Sequence, residues 1–305
     1  MNRPLVSICV PTFNGVAHLA EALASIEAQD YPYAEVIISD DGSQDGTLAV
    51  AEEFASRSRF PCRIFRHPPD TLAGNWNHAA AHAQGKYIKY VFQDDIIYPR
   101  HISLLVAAAE EDPDVTLAFA KRDILFSEAE AKTEIAFRMK SDLVDIHLGF
   151  TELRPLQDGR RLLADPRLLQ GGWNKIGEPS FVLIPRAAFL SVGGFDPSLR
   201  QLVDIDLYLR LMAAGSVVFV DQPLGAFRVH DRQLSITQAI SGYSSAELPH
   251  FARKLMRSEL RDRFHLSTLD QLAWSAESNP GSKPRWLKAR RLAIKSWFRR
   301  LFGAG

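Results

Sequence analysis

Two pairs of adjacent carboxylates carry most of the chemical information in this 305-residue sequence. Asp94 and Asp95 directly follow the apolar run Tyr87 to Phe92, and Asp40 and Asp41 follow Glu35 to Ser39 and lead into Gly42 and Ser43. Adjacent carboxylates are hard oxygen donors suited to Mg2+ or Mn2+, ions that bridge diphosphate oxygens and neutralise charge on a departing nucleotide. A carboxylate beside a glycine can also accept from a base N–H or a ribose hydroxyl, because glycine lets backbone and ligand approach closely. Each pair has a structural alternative: Asp, Gly and Ser are ordinary turn residues, and acids ahead of Tyr98-Pro99 fit the cap of a following helix. Asp204 and Asp206 open a later apolar-periodic stretch, where the helix dipole favours acids whatever their function. His230 stands alone; a lone histidine is more often a satisfied or surface residue than a ligand.

A repeated strand, loop and helix rhythm positions these groups. Leu5 to Val10 is short, apolar and rich in β-branched residues, and it predicts a buried strand that stops at Pro11. The loop Thr12 to Gly15 follows, and then Leu19, Leu23 and Ile26 share one helical face. The cycle recurs with a strand at 35–39, a loop at 40–46 and a helix at 47–56. It continues with a strand at 63–66, a helix near 75–83 and a strand at 87–92. Such alternation predicts a mostly parallel α/β sheet covered on both faces, with ligands at the carboxyl ends of its strands. From 123 to 159 the pattern reads as an irregular excursion. Order returns with a strand at 181–184, helices at 186–191 and 205–213, and a strand at 217–220. Leu202, Leu207 and Leu211 read as core, and Trp173 and Asn174 as loop without an assigned role.

Composition narrows the function classes. With 46% apolar and 24% charged residues the chain can bury a full core, and a formal net charge of zero provides no global field to recruit nucleic acid. Two cysteines, Cys9 and Cys62, are too few for a disulfide framework, so a reducing, cytoplasmic setting is expected. No secretory leader and no run of roughly 20 apolar residues is legible.

Taken in order, VSICVPTFNG at 6–15, SDDGSQDGT at 39–47 and FQDD at 92–95 resemble the nucleotide-binding half of family 2 glycosyltransferases, with their GT-A fold. EPSFVLIPRAAFLSVGGFDPSL at 178–199 resembles the family's acceptor-side segment, VDIDLYLRL at 203–211 its catalytic-base helix, and FRVHDRQLS at 227–235 its closing histidine motif. The resemblance implies a Rossmann-like catalytic domain over 1–232, whose nucleotide-sugar half ends near 120 and whose acceptor half occupies the rest. A helical C-terminal extension over 233–305 would follow. By that resemblance Pro11, Phe13 and Asn14 line the donor site, Asp41 accepts from the base, and Asp94 lies near ribose and metal. Asp95 is then the principal ligand of Mn2+ or Mg2+, His230 completes or shields the metal and diphosphate, and Asp204 is the general base of an inverting displacement. The implied partners are a nucleotide-sugar donor, UDP or dTDP by family habit, and a glycan or lipid-linked glycan acceptor in bacterial surface-polysaccharide or lipopolysaccharide assembly.

Two positions depart from the family pattern: Val203 stands where many members have an acid, and Gln93 where the metal motif often begins with Asp. A catalytically inactive sugar-nucleotide scaffold of the same fold is the alternative that Val203 leaves open. A nucleotidyltransferase would need a Gly-rich phosphate loop with a basic residue near the first strand, and a dehydrogenase a G-x-G-x-x-G after Val10; neither is present. From Ser282 to Phe302 the chain has eight Lys or Arg and no Asp or Glu, interleaved with Trp286, Trp297, Phe298 and Phe302. That composition suits an amphipathic helix on an anionic membrane surface, here the inner face of the cell membrane, although a docked helix, a dimer contact or a nucleic-acid patch would look alike.

Overall fold

The computed structural model describes residues 3–126, 146–170, 173–230 and 243–277. The first apolar run forms β1 (Val6–Thr12), buried at every position. It runs through Pro11 instead of stopping there. The ladder on one flank has already ended at Cys9–Tyr90, while the other continues to Thr12–Asp40, so the missing N–H breaks no pairing on the first side. Next come α1 (Leu19–Glu27), β2 (Ala34–Asp40), α2 (Thr47–Arg57), β3 (Cys62–Arg66), α3 (Leu72–Ala81) and β4 (Tyr87–Tyr90). Four parallel strands in the order β3-β2-β1-β4 result.

The second half contains β5 (Ile96–Ile97), α4 (His101–Ala109), β6 (Val115–Leu125), β7 (Leu156–Asp158) and α5 (Gly159–Leu163). It goes on with β8 (Val182–Pro185), α6 (Arg186–Ser191), α7 (Val203–Ala214), β9 (Ser216–Arg228), α8 (Tyr243–Arg257) and α9 (Leu266–Glu277). Beyond β4 the sheet continues β8-β6-β9-β5, and β7 also pairs with β9. Strand β8 runs antiparallel to both neighbours, whereas β6 and β9 are parallel to each other. Among the described residues the result is one mixed, mostly parallel sheet of nine strands.

Strand periodicity divides the core between the two faces. Val6, Ile8 and Val10 of β1 pack with Leu19, Leu23 and Ile26 of α1 and with α4, while Cys9 belongs to a cluster that includes α3, α5 and α7. Leu248, Phe251 and Leu255 of α8 and Leu272 of α9 join that second cluster, alongside Leu207 and Leu211 of α7. Strand β6 contradicts the irregular reading from residue 123. Lys121, Arg122 and Asp123 conceal it in sequence, but each charge has a partner, in Asp221, Glu178 and the Tyr98 hydroxyl respectively. Strand β9 likewise extends far beyond 217–220 and ends at Arg228, beside the site. The basic segment from Ser282 to Phe302 lies outside the described residues. Among those described, no helix is long and apolar enough to cross a membrane.

Candidate functional site

The carboxyl ends of β1, β2 and β4 converge, and backbone-to-side-chain bonds tie their loops together. Asp40, buried at the end of β2, accepts from the Thr12 hydroxyl (2.9 Å) and from the Ser43 amide (2.9 Å) and hydroxyl (2.6 Å). Its role is to hold the two loops. Asn14 has a positive φ of 46°, a conformation that Asn tolerates better than most residues. Its amide donates to Ser43 Oγ (2.9 Å) and its Oδ1 accepts from the Gln44 amide (2.8 Å). Phe13 leaves this loop with half its surface exposed, although it is a large apolar residue. Gln93 grips the Phe13 backbone from both sides, Oε1 accepting its N–H (2.8 Å) and Nε2 donating to its carbonyl (3.1 Å). An aspartate at 93 would lack the donor, which gives that departure from the family pattern a physical meaning.

Asp41 is nearly buried, and Gly42 after it has φ +75°, the left-handed region that favours glycine. One oxygen, Oδ1, accepts the Asp70 amide (2.7 Å) and lies 3.5 Å from His67 Nδ1. Burial raises the Asp41 carboxyl above its ordinary range, with the Asp70 amide and His67 opposing.

Asp94 and Asp95 do not cap a helix. Strand β5 intervenes, and α4 starts only at His101 with Arg100 at its cap. Arg228, at the end of β9, fixes both: its backbone N–H donates to Asp95 Oδ1 (3.2 Å) and its Nε to the Asp94 carbonyl (2.9 Å). His230 Nε2 lies 3.0 Å from Asp94 Oδ2, so the histidine meets Asp94 and not Asp95. The His18 and His230 rings are 4.8 Å apart; burial lowers the His18 pKa, reinforced by His230. Asp95 is 1% exposed, and burial, then the neighbouring Asp94, push its carboxyl well above the usual range. Wholly buried Lys89 of β4 donates to the Ser180 and Val182 carbonyls.

Among the described residues no three His, Cys, Asp or Glu side chains form a closed metal cage. The donors still fit Mg2+ or Mn2+, which take one or two protein carboxylates and fill the remaining positions with water and substrate phosphate. The buried Oδ2 of Asp95 has no hydrogen-bond partner, an expensive arrangement that a cation would relieve.

Asp204 lies in the first turn of α7, half-buried, with Oδ1 accepting the Ile205 amide (2.8 Å) and Oδ2 the Asn174 amide group (2.9 Å). Burial, aided by the carboxylates of Glu178 and Glu247, raises its pKa to about 7. Glu178 also acts on Asp95 as a negative charge. The 1% exposed Arg122 holds Glu178 through Nε (2.8 Å) and Nη2 (3.2 Å). Asp206, by contrast, is buried against Arg210 and Lys254 and is structural.

Sequence reasoning missed Asn174, Glu178 as an individual residue, and Glu247. The last projects from α8 and accepts the backbone N–H groups of Arg200 (2.6 Å), Gln201 (3.0 Å) and Leu202 (3.0 Å), capping α7 from outside. A Glu-Pro signal marked Glu178 only as part of a motif. No local signal marks Glu247, because its partners precede it by about 45 residues.

Comparison with known proteins bears on this architecture. The family model described as glycosyl transferase family 2 matches residues 7–158. An uncharacterised protein of Mycobacterium tuberculosis is 34% identical over 227 residues, 74% of this chain and 67% of its own length. An uncharacterised glycosyltransferase of Rickettsia typhi is 27% identical over 269 residues, 84% of this chain and 74% of its own. Staphylococcus aureus TarS in complex with UDP-GlcNAc superposes with a TM-score of 0.65 at 16% identity, covering 97% of this chain and 81% of that one. The mannosyltransferase PcManGT of Pyrobaculum calidifontis, in complex with GDP-Man and Mn2+, gives 0.61 at 18%, covering 98% and 81%. The folds coincide across nearly the whole chain, and the matched family segment contains the three strand ends that carry Phe13, Asp41 and Asp95. By sequence and by fold, this chain belongs to glycosyl transferase family 2 and is a GT-A glycosyltransferase.

Proposed function

We propose that the protein moves a sugar from UDP or dTDP to an acceptor hydroxyl with inversion, in the assembly of a bacterial surface polysaccharide or lipopolysaccharide. Pro11 and the exposed ring of Phe13 form the apolar wall for the base, and Asn14 keeps that loop in place. Asp41 supports a pyrimidine. Its Oδ1 accepts the Asp70 amide and also faces His67 Nδ1 at 3.5 Å, so both acceptor sites of that oxygen are turned to protein groups and Oδ2 is left for the single N–H of a pyrimidine, whereas guanine's two adjacent donors need a site on each oxygen. Asp95, Asp94 and His230 would hold Mn2+ or Mg2+ against the diphosphate, and the ion would neutralise charge developing on the leaving group.

Asp204 carries the proposal. A carboxyl with a pKa of about 7 is half ionised near neutrality, so it can take the proton of an attacking hydroxyl. Glu178 acts on both Asp204 and Asp95, consistent with acceptor and leaving group meeting in one cleft. The basic, aromatic tail at 283–302 fits contact with an anionic membrane surface, and therefore a lipid-linked acceptor.

The deciding test is a thermal-shift panel of UDP-, dTDP- and GDP-sugars with Mn2+, Mg2+ or EDTA, on the wild type and Asp95→Ala. Stabilisation by a pyrimidine nucleotide that requires both metal and Asp95 is expected. Equal stabilisation in EDTA, or in Asp95→Ala, would refute the metal assignment, and a preference for GDP-sugars would refute the argument from Asp41.

A further inference from the structure

We propose that Asn174 is a positioning residue for Asp204, holding its carboxylate ionised and aiming its remaining lone pairs toward the acceptor. The proposal gives Asn174 a role in the reaction proposed above and takes its catalytic meaning from the reading of Asp204 as the base.

The geometry leaves the Asn174 amide one orientation. Its Oδ1 accepts two backbone N–H groups, from Ile176 (3.0 Å) and Gly177 (2.8 Å). Flipping the amide would turn an NH2 toward both donors, so Nδ2 must face the Gly177 carbonyl (3.0 Å) and Asp204 Oδ2 (2.9 Å). The turn that fixes this arrangement is itself constrained, because Gly177 has φ +110°. Asp204 therefore has one N–H on each oxygen, from Asn174 and from Ile205, with the outer lone pairs still available.

The surroundings otherwise oppose ionisation. Glu178 and Glu247 both act on Asp204 as negative charges, the first held by Arg122 and the second capping α7. Tyr208, one turn along α7, is buried with its hydroxyl unpartnered, and burial, then Asp204, keep it neutral. Position 203, next to the base, holds a Val that is 1% exposed within the core cluster. Against these surroundings the Asn174 amide is a neutral donor that favours the ionised form of Asp204.

The test is the titration of Asp204 in the full-length protein, followed by carboxyl-carbon NMR with labelled aspartate and assigned with Asp204→Asn. Asn174→Ser keeps an oxygen that can accept from Ile176 and Gly177 but is too short to reach Asp204. Asn174→Asp keeps the acceptor and replaces the donor with a repelling charge. The Asp204 titration should rise by about 1 to 2 pH units in Asn174→Ser, the size of one hydrogen bond to a charged group, and further in Asn174→Asp. The acid limb of the transfer pH profile should move with it, lowering transfer at pH 7 by about tenfold while UDP affinity stays within about twofold. An unmoved titration in both variants would overturn the proposal. The titration needs no substrate, so it decides the coupling whatever the reaction is; wild-type transfer by Asp204→Asn would refute only the reading of Asp204 as the base.

Discussion

Replacing Asp204, the proposed general base, should make the protein inactive and, above neutral pH, more stable. The Asp204 carboxyl is raised from 3.8 to about 7 in the folded chain, so the folded state binds that proton more tightly than the unfolded one. Its stabilising contribution is complete below about pH 3.8, declines as the pH rises toward 7, and is absent above that. Over that window the swing is about 4 kcal/mol. Asparagine fills the same space without ionising. It retains one acceptor oxygen where aspartate has two, so it loses one of the two N–H contacts, at a cost of about 1 kcal/mol. Asp204→Asn should therefore be less stable than the wild type by about 0.5 kcal/mol at pH 4 and more stable by about 3 kcal/mol at pH 8. Urea unfolding at each half pH unit from 4 to 8.5, followed by tryptophan fluorescence, reads the difference directly. Parallel stability curves would show that burial does not perturb Asp204, and the pH argument for its role as base would fail with them. Glu178→Gln is the control, since removing a nearby negative charge lowers the Asp204 pKa, so the stability difference levels off at a lower pH and at a smaller value.

The external cap on α7 predicts that Glu247→Ala destabilises the fold by about 2–4 kcal/mol, because three backbone N–H groups lose one shared carboxylate, with Glu247→Gln losing roughly half as much. Unfolding midpoints that match the wild type would refute it. Gln93→Ala should weaken UDP binding about three- to tenfold by freeing the Phe13 backbone, and Gln93→Glu, which loses the donor and adds a negative charge beside Asp94, should weaken it at least as much; calorimetry that finds all three equal would sink the clamp. Deleting residues 282–305 should reduce partition onto anionic liposomes without changing UDP affinity, and equal partition would retire the membrane role of the tail.

The carboxylates proposed for the donor side could be located from sequence because each is local to a strand end. Asp41, Asp94 and Asp95 each sit within a few residues of a strand end, and in a parallel sheet strand ends share one edge. The same locality explains why Leu19, Leu23 and Ile26 identified the buried face of α1. Charge obscured β6, whose Lys121, Arg122 and Asp123 look like loop residues until their partners come into view. Pro11 misled for a related reason: whether a strand tolerates proline depends on which flank is paired, a property of the neighbouring strands.

The amino-acid sequence by itself determined the α/β class, the order of the early elements and the positions of the carboxylates, since these follow from periodicity and from residues adjacent along the chain. Only the tertiary structure decided what those carboxylates meet. Asn174 reaches Asp204 across 30 residues. His230 pairs with Asp94 and not Asp95, and α8 sends Glu247 back to cap α7. A hydrogen bond is made or lost within a few tenths of an ångström, and the pKa of a buried acid depends on the groups packed around it. Both depend on distances that exist only once distant segments have come together.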